Sequence, residues 1–487
     1  MMMKIFNAHR LKTLSFRRYN TLTTAQGPPQ LSLPSLEKLC SLVSTPIGGL
    51  DELESKLGQS GVHLTPSTVV QVVNHCKDEA STRRLLRFFT WSCKNLGSTL
   101  GDKEFNDTIR VFAEKKDHRA VDILLSDLRK DGRALDVRTF ISVAETLVKL
   151  GREDDALGIF KNLALFKCPQ DGTTVSAIVS ALCSKGHARR AEGVLYHHRD
   201  KLSGIESCVY RSILYGWSLQ TNVKEARKVI QQMKQKDITL DLFCFNTYLR
   251  CLCEKNLKKN PSGLVPESLN VLMEMRTYKI LPNSVSYNIL LSCLGRTRRV
   301  KESLRIFDSM KRAGCRPDWV SYYLLIRVLY LSGRFGKGNQ MLDMMIEEGL
   351  VPPEKFYYDL VGVLCGVERV NFALQLLDHM KKTLACGYGP VYDVLIPKLC
   401  SNGDFKKGRR LWEEAEEMGI ALQCSSDVLD PSITKVFELR EREKDVKVED
   451  STKKDTRKSN QVGITRKPRN FNKKKQKRKA KKKVSST

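Results

Sequence analysis

The sequence predicts an all-α protein: an α-solenoid of about ten 35-residue helix-turn-helix repeats, with disordered basic termini. Three observations carry this reading. The first is a period. Ser286-Tyr287-Asn288 and Ser321-Tyr322-Tyr323 lie 35 residues apart, and stepping by 35 from Ser284 gives starts at 319, 354 and 389. Stepping back meets one 42-residue unit, 242–283, with seven extra residues near Asn256–Pro266, and then starts at 207, 172, 137, 102 and 67. The second observation is that separate slots stay in phase. Slot twenty is small at Ala156, Ala191, Ala226, Ser268, Ser303, Gly338, Ala373 and Gly408. Slot fifteen is glycine at Gly151, Gly186, Gly333 and Gly403, and slot thirty-one at Gly132, Gly314, Gly349 and Gly419. Slot twenty-seven is apolar at Leu128, Leu163, Met233, Met275, Met310, Met345 and Met380. The third is helical spacing inside a unit: Tyr287, Leu290, Leu291 and Leu294, then Leu304, Ile306, Phe307 and Met310. A hairpin this small cannot bury both apolar faces alone, so it must stack on its neighbours and leave a concave inner surface.

Taken in chain order, residues 1–36 are expected to be a mitochondrial targeting presequence and linker. They carry Lys4, Arg10, Lys12, Arg17 and Arg18 and no acid, interleaved with Ile5, Phe6, Leu11, Leu14 and Phe16. Arg17-Arg18-Tyr19 resembles a matrix-protease site, so the expected location is the mitochondrial matrix, with the chloroplast as alternative. Residues 37–66 are expected to form an N-terminal helical cap. The array follows as units 67–101, 102–136, 137–171, 172–206, 207–241, 242–283, 284–318, 319–353, 354–388 and 389–423. Glycine at slots fifteen and thirty-one suits the left-handed residue that ends a helix. A small residue at slot twenty lets two helix backbones approach. Residues 424–450 are expected to hold a C-terminal capping helix that starts at Asp430-Pro431-Ser432. Residues 451–487 carry sixteen Lys/Arg against Asp455 alone and too little apolar surface to fold.

Of the formal charge of +29, +5 lies in residues 1–36 and +15 in residues 451–487, which leaves +9 for the middle. Basic ends of this kind point to an anionic partner, most commonly nucleic acid. A chain that is 41% hydrophobic is not disordered throughout. No apolar run approaches the roughly 18 residues of a membrane span; the best, Tyr322–Leu331, contains Arg327. The fifteen cysteines include no CxxC pair and are read as reduced apolar fillers, so neither a metal nor another cofactor is expected.

The 35-residue period, Tyr287-Asn288 near a unit start, Gly151-x-x-x-x-Ala156, Met310 before Lys311 and the closing Pro317-Asp318 resemble the pentatricopeptide repeat family. Segment 85–97 is similar to the opening repeat common in plant members. The resemblance implies an organellar single-stranded RNA-binding protein. Units of uniform length resemble the family's P-type, associated with transcript stabilisation, splicing or translation. The alternative is a structural component of the mitochondrial ribosome that holds rRNA and protein through the repeats and the basic tail.

In that family the fifth and last residues of a repeat select one base, and an apolar second residue sandwiches it. Carried over, Asn106/Asp136 and Asn288/Asp318 resemble uracil readers, and Asn246/Asn283 a pyrimidine reader. Phe243, Val285 and Val320 are the sandwiching candidates. Amides and carboxylates suit the Watson–Crick edge of an unstacked base. Asp136, Asn283 and Asp318 are equally suited to capping the following helix, worth about 1 kcal/mol. Lys103, Arg138, Arg211 and Lys355 suit phosphate contacts better than bases. So do Lys473, Lys474, Lys475, Lys477, Arg478, Lys479, Lys481, Lys482 and Lys483 in the tail, which would neutralise phosphates without sequence preference. A nuclear localisation signal has a similar composition and conflicts with the leader.

Other motifs carry less. Gly333-Arg-Phe-Gly-Lys-Gly338 lacks the spacing and the Ser/Thr of a P-loop, and its glycines occupy turn slots. Adjacent His197 and His198 do not converge on one helix face. No HxE with a following CxxC suggests a deaminase, and the chain is read as having no enzyme activity.

Overall fold

A computed structural model describes residues 33–46, 48–384 and 388–432. Every regular element among the described residues is helical, with 22 α-helices and short 3₁₀ turns. The chain divides after Leu281 into two compact units. The first contains α1 (Leu33–Ser44), α2 (Leu50–Gln59), α3 (Pro66–His75), α4 (Thr82–Leu96), α5 (Asp102–Glu114), α6 (His118–Lys130) and α7 (Val137–Lys149). It continues with α8 (Glu153–Lys161), α9 (Gly172–Ser184), α10 (Ala188–His197), α11 (Glu206–Leu219), α12 (Val223–Gln235), α13 (Leu242–Lys259) and α14 (Leu264–Thr277). The second contains α15 (Ser284–Arg296), α16 (Val300–Arg312), α17 (Trp319–Leu331), α18 (Phe335–Glu347), α19 (Glu354–Gly366), α20 (Val370–Leu384), α21 (Gly389–Ser401) and α22 (Phe405–Glu417). Within each unit every first helix packs on its own second helix and on the next first helix. This is the stacked-hairpin layering of an α-solenoid.

The slots explain the stacking. In α15 the Tyr287, Leu290, Leu291 and Leu294 stripe is buried, and in α16 so are Ile306, Phe307 and Met310, while Leu304 is half-buried. All seven slot-twenty-seven side chains have 0% exposure; each contributes about 1.5–3 kcal/mol of burial. The slot-twenty glycines sit where side chains of a neighbouring helix leave no room. A Cβ on Gly338 would run into the Tyr330 ring, and one on Gly408 would lie 2.6 Å from Cys400 Sγ.

The left-handed turns follow the repeat rather than the glycine. Slot fifteen has φ of +80°, +82°, +73° and +84° at Gly151, Gly186, Gly333 and Gly403. It keeps positive φ at Lys116, Thr221, Arg298 and Glu368, where a side chain is strained. Slot thirty-one behaves likewise at Lys167, Asp237 and Lys279.

The extra residues of unit 242–283 lengthen α13 to 18 residues and add a 3₁₀ turn at Pro261–Gly263. Asn256, fully buried, donates to Glu267 Oε2 at 2.9 Å and ties this extension to α14. His198 fills its slot by setting its ring edge-on to Phe160 at 5.3 Å. Burial pushes the Cys244 thiol up to about 12, consistent with a packing role. Helix α1 starts at Leu33, inside the range read as leader and linker; residues 1–32 lie outside the described residues. So do the tail 451–487 and, past Ser432, the expected capping helix. At the start of that helix Ser432 N donates to Asp430 Oδ1 at 2.8 Å.

Arg84 holds the first hairpin in place. It is 8% exposed and donates from Nε to Val43 O at 3.1 Å, from NH1 to Gly48 O at 3.2 Å and from NH2 to Leu42 O at 2.8 Å. The Leu42 and Val43 carbonyls lie in the last turn of α1, where carbonyls lack helical partners, and Gly48 lies in the connection to α2. Arg84→Ala is expected to cost about 2–3 kcal/mol. Hydrogen exchange should then quicken in residues 33–59 and stay slow in α13 and α14.

Candidate nucleic-acid interface

In four repeats the fifth residue reaches the last residue of the same repeat. Asn106 Oδ1 accepts from Asp136 N at 2.9 Å, and Asp393 Oδ1 from Gln423 N at 2.8 Å. Arg211 NH2 pairs with Asp241 Oδ2 at 2.8 Å, and Asn288 Nδ2 donates to Asp318 Oδ1 at 3.0 Å. The cause is local. In three of the four, all but Asp393/Gln423, the last residue sits at the N-cap of the next first helix, and that helix packs on the one that carries the fifth residue.

Capping occurs at all three positions for which it was the competing reading. Asp136 Oδ1 accepts from Thr139 N at 2.5 Å, Asn283 Oδ1 from Ser286 N at 3.2 Å and Asp318 Oδ1 from Ser321 N at 2.8 Å. Asp171 and Asp241 cap in the same way. A cap uses one oxygen and leaves room for a second role, so capping and reading are compatible.

The candidate pairs differ in what they leave exposed. Asn106 is 2% exposed; its Nδ2 donates to Asp102 O at 2.8 Å and to Ala134 O at 2.9 Å while Oδ1 accepts from Asp136 N. Its amide is saturated, with no hydrogen-bonding group left over for a base. Asp136 is also engaged, by Arg110 at 3.0 Å. Asn288 is half-buried. It donates one Nδ2 hydrogen to Asp318 and accepts from Ser321 Oγ at 2.7 Å, and its second Nδ2 hydrogen has no partner among the described residues. Asn246 lies half-buried on α13 in the first unit, and Asn283 caps α15 in the second.

Of the sandwiching candidates, Phe243 is 48% exposed, a large apolar ring left in solvent, while Val285 and Val320 are half-buried. Lys103, Arg138 and Lys355 occupy the same second slot and are exposed. Arg211 pairs with Asp241, so the two code positions of that repeat meet each other. The tail lysines and Arg478 lie outside the described residues. Ser321 and Asp393 were missed by sequence reasoning. Ser321 is the third residue of its helix, and a capping-box pattern with Asp318 is the signal that could have found it.

Burial pushes the Asp318 carboxyl up. Hydrogen bonds from Asn288, from the Ser321 backbone and hydroxyl and from Ser284 outweigh it, and the carboxyl lies below its ordinary value. A carboxyl depressed on folding stabilises above its unfolded value, about 3.9, and loses that contribution as pH falls through the lower folded value. Exchange of α17 amides should therefore accelerate below about pH 4, and less so in Asp318→Asn. Separately, Asn106→Ala is expected to cost about 3 kcal/mol and Asn288→Ala about 1. Urea denaturation followed by exchange on α7 and α17 checks this order.

The PPR repeat family model matches residues 282–331, the PPR repeat model matches 320–350 and 391–420, and the pentatricopeptide repeat domain model matches 266–297. A mitochondrial pentatricopeptide repeat-containing protein of Arabidopsis thaliana is 63% identical over 403 residues, 83% of each chain. The Arabidopsis thaliana small ribosomal subunit protein mL104 (rPPR9) is 27% identical over 237 residues, 48% of this chain and 44% of that one. Among solved structures, the pentatricopeptide repeat protein PPR10 from maize aligns with TM-score 0.48 and 18% identity over 80% of this chain and 59% of that one. Yeast Rmd9p in complex with a 16-nucleotide target RNA aligns with TM-score 0.38 and 11% identity over 80% of this chain and 87% of that one. The basic, acid-free composition of residues 1–36 and the mitochondrial relative agree on the mitochondrion. A 63% identical relative spanning most of both chains, together with the stacked 35-residue hairpins, places this chain in the pentatricopeptide repeat family.

Proposed function

We propose that the protein is a mitochondrial P-type single-stranded RNA-binding protein that acts in organellar RNA metabolism such as transcript stabilisation, splicing or translation. The observation that carries this reading is the Asn288–Asp318 pair. A half-buried amide with an N–H to spare lies beside an ionised carboxylate, and Val285 and Val320 occupy the second slots of this repeat and the next. Such a pair complements one pyrimidine edge, and the valines pack against its faces. On the first unit, Asn246 and exposed Phe243 would offer a further base contact. Lys103, Arg138 and Lys355 would take phosphates, and the tail lysines would add affinity without selectivity. The function is binding; no catalytic step is assigned.

A second reading is a structural place in the mitochondrial ribosome. It is favoured by the resemblance to a small ribosomal subunit protein and by the scarcity of well-formed code pairs. Co-sedimentation with a ribosomal subunit after RNase removes free transcripts would support it.

Selection of random RNA by the full chain tests the first reading. The enriched element should contain C or U followed by U. Asn288→Thr with Asp318→Asn keeps a cap at 318 and should move one nucleotide towards a purine. A bidentate base contact carries about 1–3 kcal/mol of discrimination, so a preference of about tenfold should change. No enrichment at that position would reduce the pair to a helix cap.

A further inference from the structure

We infer that the turn edge of repeats 284–318 and 319–353 is a second RNA-binding surface that grips the phosphate backbone of a double-stranded RNA segment. This rests on the RNA-binding reading above but uses different residues and a different class of RNA.

The turns after α15 and α17 enclose an open cavity of about 500 Å³ lined by Arg298, Arg299, Lys301, Glu302, Arg305 and Arg334. Its one acid is already used: Arg299 donates to Glu302 at 2.7 Å. Arg298, Lys301, Arg305 and Arg334 have no carboxylate partner among the described residues, and Arg298, Lys301, Arg305 and Arg334 are exposed. Ser332 lines the same cavity and its buried Oγ has no hydrogen-bond partner. Arg369, from the next turn, lies 5.6 Å over the Phe335 ring and extends the basic edge.

Two features of this edge work against stability without an anion. Arg298, Arg299 and Lys301 gather at the N-terminal end of α16, where the helix dipole disfavours cations. Arg298 also holds φ +54° in the slot that is glycine in four other repeats. A polyanion seated in the cavity relieves the first and gives the strained arginine a use.

The lining also says which RNA fits. It offers no aromatic ring and no side-chain amide, so it has neither a stacking platform nor a base-edge reader. A single strand would leave its bases unheld. An A-form duplex turns its bases inward and presents phosphates and 2′-hydroxyls, which cations can hold by shape. Helix α15 ends at Arg296, eight residues past Asn288, so the turn edge begins about 12 Å along the helix from the candidate reading residue. A strand and a duplex can therefore be held together, as in a stem beside a single-stranded element.

The test uses the full chain, an RNA duplex of about 16 base pairs and a single strand carrying the selected element. In the triple variant Arg298→Gly, Arg305→Ala, Arg334→Ala, duplex affinity should fall at least about tenfold, and the slope of log K against log salt should shrink by about two to three. Single-strand affinity should stay within about twofold. Arg298→Gly alone should melt no lower than wild type, because glycine relieves the left-handed backbone. Unchanged duplex affinity and slope in the folded triple variant would overturn the inference, as would an equal loss for both RNAs. A wild-type chain that binds the single strand and no duplex overturns this inference alone. Binding to neither RNA overturns the proposed function with it.

Discussion

The contact on which the stack depends is the N-cap that the last residue of one repeat gives to the first helix of the next. A helix start leaves four N–H groups without helical partners. In a stack of short hairpins such starts recur at every repeat and lie against neighbours. Asp136, Asp171, Asp241, Asn283 and Asp318 each accept from the N–H three residues on. This fixes where the next first helix begins, and so where its fifth residue stands. The pairing of code positions is then a by-product of how the chain stacks. Where the last residue is Pro353 or Tyr388, no side-chain cap forms. Those repeats keep the hairpin through their buried stripes and lose the polar pair.

Much of this was legible because stacking imposes a period. Slots twenty and twenty-seven follow from close helix packing and burial, and both need only a residue type at a fixed place. What was not legible depends on neighbours. Asn106 and Asn288 occupy the same slot with the same partner type, yet one is saturated and the other is not. The difference lies in Ala134 O, which takes a second hydrogen from Asn106. A carbonyl from the preceding turn leaves no mark in the sequence. Arg84 was equally hidden, since its partners are carbonyls 36 to 42 residues away. Asp393 departs from the family pattern in type but makes the same contact, through its carboxylate to backbone N–H groups of Gln423 and Cys424.

Charge is distributed with a similar logic. On the first helices of the first unit two cations near the code positions are answered: Arg211 by Asp241, Arg110 by Asp107 and Asp136. The turn edge around Arg298 and Arg334 is not answered, although acids are available elsewhere in the chain. Neutralised cations fix side chains in place, whereas unanswered ones attract a partner over a distance set by salt. The glycine slot at Arg298 sharpens the point. Gly333 makes the next turn without strain, so the backbone did not require arginine there.

The central claim is that the second and fifth residues of the first helices meet RNA bases. Photo-crosslinking of the full chain to 4-thiouridine-substituted RNA, followed by mass spectrometry of the crosslinked peptides, tests it most directly. The account predicts crosslinks in α15 and α17, at or next to Val285, Asn288 and Val320, with none at buried Asn106. Crosslinks confined to residues 451–487, with none on the first helices, would contradict it.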